Sequence, residues 1–175
     1  MKIYKYLPDS DSFDSVLFKE SDFHIRRLFS KGKEIVHELT GLELESFEVG
    51  ELGDFPSLHG WIPVFSLKAW KKVKNKIEGS VQPVMVKCGE NDYVMLNVLD
   101  VVDCLDRANS IIVENSITKQ ISSIEKYSFF EDKLDGKMIF KLPETSDLEV
   151  YFTQGFKELV EAEKLKGLWI HGALN

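Results

Sequence analysis

A chain of 175 residues and 20.1 kDa, 43% hydrophobic, is long and apolar enough to bury one ordinary core. Its formal net charge of −7 disfavours nucleic acid, whose phosphates attract clusters of lysine and arginine. No apolar run is long enough for a membrane span: the most apolar stretch, Val94 to Val102, is interrupted by Asn97 and Asp100. The acid is uneven. Residues 1–60 carry twelve acidic against seven basic side chains, 61–110 six against seven, and the remainder eleven against eight. Such a surface favours a cationic protein partner through electrostatic steering. Cys88 and Cys104 sit in apolar, strand-like runs and read as two buried reduced thiols rather than a disulfide or a metal pair. These features place the protein in the cytoplasm.

No repeat or Ser/Gly-rich linker divides residues 1–175, which reads as a single domain. Met1 to Pro8 alternates like an edge strand and lacks the apolar core of a signal peptide. Pro8 to Ser12 is a turn cluster, and Asp22 to Lys31 suits a short helix ended near Gly32. Glu34 to Phe47 passes from irregular structure into a strand whose outward residues are Glu43, Glu45 and, further on, Glu48. Gly50 to Gly60 is loop-like. Ser66 is a good N-cap for a helix with Trp70, Val73 and Ile77 inward and Gly79 at its end. The lysines of its other face, Lys68, Lys71, Lys72, Lys74 and Lys76, read as a solvated surface.

Val81–Lys87 and Tyr93–Val98 form a hairpin around Gly89-Glu90-Asn91-Asp92. Further strands are expected at Ile111–Val113, Ile121–Phe130 and Met138–Leu142. The last third reads as a strand, a turn at Pro143, a second short strand and a helix capped by Thr153. Its inward stripe is Phe156, Leu159 and Val160, and Gly167 ends it. Trp169-Ile170 suits a last strand. Most connections are too short for helical crossovers, which predicts an α+β fold with a mainly antiparallel sheet and two or three packed helices.

Motifs for catalysis are thin. Asp100, Asp103 and Asp106 recur every three residues, but a strand running into a turn spreads them over different faces, so no metal is expected. Asp103-Cys104-Leu105-Asp106-Arg107-Ala108-Asn109 looks like part of the phosphate loop of Sac-type phosphoinositide phosphatases. That chemistry needs a thiolate six residues before the arginine, where this chain has Val101. His24, His37, His59 and His171 have no partners at metal-ligand spacing, and no nucleophile elbow or dinucleotide fingerprint is present.

Three separated blocks carry a stronger resemblance. They are Gly53-Asp54-Phe55-Pro56-Ser57-Leu58 with Ile62-Pro63-Val64-Phe65-Ser66-x-Lys68-Ala69, then Leu96 to Asp106, then Lys137–Glu144 with Val150–Glu161 and Leu165–Leu168. In order and spacing they resemble the eleventh immunity-protein family of bacterial polymorphic toxin systems, most clearly over residues 50–170. Trp169-Ile170-His171-Gly172 is more aromatic and glycine-rich than that pattern. The resemblance implies a cytoplasmic immunity protein that binds and neutralises a cognate toxin domain, protecting the producing cell and its kin. It implies no catalytic residues and no cofactor, and a partner that is neither nucleic acid nor membrane. The acids Glu43, Glu45, Glu48, Glu51 and Asp54, with Trp61 as an aromatic anchor, are the expected contact surface. Two other readings stand beside it: a stand-alone ligand-binding or regulatory module without catalysis, and a small hydrolase or phosphatase.

Overall fold

The computed structural model describes the chain except residues 37, 38, 40, 49, 59, 60, 119, 120, 146 and 147 and the side chain of Glu48. In order come β1 (Ile3–Lys5), β2 (Ser15–Phe18), β3 (Glu43–Glu48), β4 (Ser57–Leu58), β5 (Val64–Ser66) and α1 (Leu67–Ile77). Then follow β6 (Val81–Cys88), β7 (Asn91–Val98), β8 (Ile111–Glu114), β9 (Ile121–Lys126), β10 (Ile139–Phe140), β11 (Tyr151–Thr153) and α2 (Gln154–Ala162). Glu20–Leu28 is a 3₁₀ helix rather than an α-helix. Its apolar residues follow no clean period, and none of them is buried. The class is α+β, as expected, but the strands divide among three sheets. Their orders are β4-β2-β3-β6-β7-β5, β1-β11-β10 and β8-β9. Pairing is antiparallel except for β2–β4 and β3–β6.

The centre is the β6–β7 hairpin, in register from Val81↔Val98 to Cys88↔Asn91 around a turn at Gly89-Glu90. Ser66 starts α1 as its composition suggests, its hydroxyl accepting the Ala69 N–H at 3.0 Å. Ala69, Val73 and Ile77 pack on Phe65, Val94, Leu96 and Phe156 in one core. Burying each of the two larger aliphatic side chains stabilises by about 2 kcal/mol. A second core lies on the other face of the large sheet, with Leu44, Leu58, Val86 and Met95. A third joins Cys104, Leu105, Phe140 and Tyr151 under the β8–β9 hairpin. Asn97, a break in the most apolar run of the sequence, is fully buried. Its amide donates to the Lys33 carbonyl at 2.9 Å and to its cross-strand neighbour Gln82 at 3.0 Å. Gln82 in turn bonds both backbone groups of Ile35, so the irregular segment after Gly32 is tied to the sheet by side chains.

Several local expectations change at the ends of elements. Gly50 to Gly60 contains the short parallel strand β4, which is satisfied only by its neighbour β2. Thr153 precedes α2, but its hydroxyl donates to the Lys137 carbonyl at 2.8 Å instead of capping the helix. The helix stops at Ala162, before Gly167, in a turn that takes Lys164 to φ +53°. Trp169-Ile170 forms no strand; Leu168 makes an isolated bridge to Pro8 and the Trp169 N–H donates to the Leu7 carbonyl at 2.8 Å. Gly167 takes φ +96°, a left-handed backbone that favours glycine, and lies in ordinary contact with Gly53 and Phe13.

Candidate partner-binding surface

The acids expected at the surface come from β3 and the chain just after it. Leu44 points into the second core, so alternation sends Glu43 and Glu45 to the other face of the sheet. On that face α1 packs chiefly on β5 and β7. Met85 is paired with Val94, which lies under α1, yet Met85 itself is 54% exposed. Next to it, β3 aligns Glu43 with Lys87. In β2–β3 the register passes from Val16↔Ser46 to Ser15↔Glu48. Phe47 is therefore the extra residue of a β-bulge, and it stands 66% exposed. The outcome is an uncovered stretch of sheet with Met85 beside Glu43, Lys87 and Asp92, and with Glu45 and Phe47 further along β3.

The charges there are partly engaged. Lys19 pairs with Glu43 and holds its carboxyl below the ordinary value. Lys87 pairs with Asp92 at 3.0 Å. Glu45 is exposed and makes no ion pair among the described residues. Glu51 is exposed too and sits 3.3 Å from the Lys166 ammonium.

Two of the six expected residues stand apart from this patch. Asp54 is buried, at 6% exposure. Its carboxylate accepts from the Ser66 hydroxyl at 2.9 Å, the Lys68 ammonium at 3.0 Å and the Lys166 N–H at 3.0 Å. Burial alone would raise this carboxyl, but the three donors outweigh it and hold it below the usual range. Asp54 is therefore a clamp inside the protein and presents no free carboxylate. Trp61 packs on the second core, to which Leu44 also belongs, and so lies on the other face of the sheet from Glu43 and Glu45. The ammonium of the buried Lys141 lies 4.7 Å from its ring centroid. The Glu48 side chain lies outside the described residues, as do His37 and His59.

Neither Phe47 nor Met85 was an expected contact. The signal for Met85 was legible, because it alternates with Val84 and Val86, but alternation cannot say that α1 stops short of it. Phe47 lies two residues past Glu45, on the same outward side of the alternation, and was passed over because it is apolar.

The segment that looks like a phosphate loop is built for another purpose. Cys104 is completely buried, and burial pushes its thiol up to about 12. Asp106 accepts from the N–H groups of Ala108 and Asn109 and from the Asn109 amide at 2.6 Å, closing a turn. Arg107 is held by Glu144 at 2.7 Å. Asp100 pairs with Lys137 at 3.0 Å, Asp106 closes its own turn and Asp103 is exposed, so the three aspartates do not act together.

A model of the Immunity protein family (Imm11) matches residues 87–174. The match begins at the end of β6 and takes in the Leu96–Asp106 run, the strands and helix of the last third, and the Trp169–Gly172 tail. The Gly53–Ala69 block precedes it. No curated protein matches the chain significantly.

Proposed function

This chain belongs to the Immunity protein family (Imm11), and we propose that it acts in the cytoplasm by binding a cognate bacterial toxin domain and neutralising it, with no chemistry of its own. The observation that carries this reading is the uncovered patch of the large sheet. Met85 beside Glu43 and Lys87, and Phe47 further along β3, each expose apolar area, and both types are favoured at protein interfaces. Glu43, Glu45, Glu48 and Glu51 are the acids that would draw in a cationic partner. In this reading Phe47 takes the anchoring role first expected of Trp61. Asp54 supports the surface from within, by holding the turn that leads into α1.

The test is co-expression with the toxin encoded by a neighbouring gene. The chain should co-purify with that toxin and restore growth. Glu45→Lys combined with Phe47→Asp should lose both properties while keeping the wild-type melting temperature. A wild-type chain that neither co-purifies with the toxin nor restores growth overturns the reading.

A further inference from the structure

The geometry points to a second binding site, on the opposite face of the large sheet from the acidic patch: we infer that the cleft floored by Trp61 takes a carboxylate-rich peptide segment. Arg26, Arg27, Ser30, Lys31, Trp61 and Leu148 line a cleft of about 440 Å³. That lies within the range of about 300–1,000 Å³ typical of ligand clefts. Among the described residues lining it, Arg26, Arg27 and Lys31 are cations and none is acidic, in a chain whose net charge is −7. Gathering like charges is unfavourable unless something neutralises them. Among the described residues nothing does so: Arg27 and Lys31 are exposed and make no ion pair. Arg26 rests its guanidinium on the Phe23 ring, 4.0 Å from the centroid, which fixes its place beside the cleft without cancelling its charge.

The chemistry selects the occupant. An arginine fork matches the two oxygens of a carboxylate, and a half-buried tryptophan face adds contact area for the apolar part of a peptide. A long polyanion such as nucleic acid would meet the field of the whole acidic molecule. A few carboxylates in an extended peptide would meet chiefly the cleft. Because Trp61 packs on the core to which Leu44 belongs, this site works independently of Glu43 and Glu45.

The probe is hexaglutamate with blocked termini, titrated at low salt into the ¹⁵N-labelled full chain. The readout is the indole N–H resonances of the three tryptophans, with Trp61→Phe assigning the one in the cleft. The Trp61 resonance should shift saturably while those of Trp70 and Trp169 stay in place. Arg27→Glu should weaken binding about tenfold, the loss expected from one charged hydrogen-bonded contact. Arg27→Glu with Lys31→Glu should abolish it with the melting temperature unchanged, and Glu45→Lys should bind as wild type. The inference fails if the Trp61 resonance does not respond, or if the double variant binds as well as wild type. It also fails if inorganic phosphate or a short oligothymidylate shifts that resonance at lower concentration than hexaglutamate.

Discussion

Asp54 and Lys166 stand 112 positions apart and are joined through both backbone groups of Lys166. The Lys166 N–H donates to the Asp54 carboxylate at 3.0 Å, and the Asp54 N–H donates to the Lys166 carbonyl at 2.8 Å. The same carboxylate accepts from Ser66, the N-cap of α1. One buried acid thus joins the start of one helix to the chain leaving the other.

Asp54→Ala should therefore destabilise by about 3 kcal/mol, since charged hydrogen bonds are lost and the Lys166 N–H keeps no acceptor in a buried site. Urea melts at pH 7 check this; a loss below about 0.5 kcal/mol would mean the clamp carries no stability. The pH dependence follows from the depressed carboxyl. A carboxyl whose folded pKa lies below its unfolded value of about 3.9 contributes in full above that value. Its contribution fades as pH falls through the folded value. The gap between wild type and Asp54→Asn should accordingly be constant at neutral pH and narrow on acidification below pH 4 or so.

Gly32 has φ +58°, and a Cβ built on it would lie 2.1 Å from Cγ2 of Val101. Two penalties combine there, a left-handed backbone and a clash. Gly32→Ala should cost about 2 kcal/mol or more. Val101→Ala in the same molecule should return the steric share and leave the backbone share. A double-mutant cycle by chemical denaturation measures the coupling; strict additivity would show that the two residues do not meet.

Both cysteines should be silent in the folded protein. Burial raises the thiols of Cys88 and Cys104, the latter to about 12, so neither offers thiolate at neutral pH. A thiol reagent at pH 8 should label neither until urea unfolds the chain, and then both. Rapid labelling of Cys104 under native conditions would restore the thiolate chemistry that its neighbours Asp103 and Arg107 suggest.

Charge reversal on the sheet face should act on encounter. Glu43→Lys with Glu45→Lys should slow association with the cognate toxin about tenfold or more at low salt, and the difference should shrink as salt screens it. Glu48→Lys with Glu51→Lys should act in the same direction. Phe47→Ala should leave association nearly unchanged and speed dissociation, because an anchor acts after docking. Surface plasmon resonance at two ionic strengths separates these effects. Equal association rates for the reversed and wild-type chains would remove the acids from the interface.

What the order of residues determined by itself is local. Ser66 before an apolar stripe at helical spacing makes α1, because cap and stripe satisfy groups within one or two turns. Gly89-Glu90 between two alternating runs makes the central hairpin, because both strands lie beside the turn. The last third is legible in the same way, down to Phe156 and Val160 on the buried face of α2. Tertiary structure decided what depends on distant partners. Alternation marked Glu43 and Glu45 as outward but carried no information on how far α1 extends, and that is what leaves Met85 bare. Asp54 read as a loop acid, and the clamp appears only when Lys166 arrives beside it. Residues 26–31 made no pattern with Trp61 and Leu148, because a cleft gathers side chains that only the fold makes neighbours. Backbone geometry acts over a turn of helix or a pair of strands; burial, charge and close approach are settled by whichever remote segment packs there.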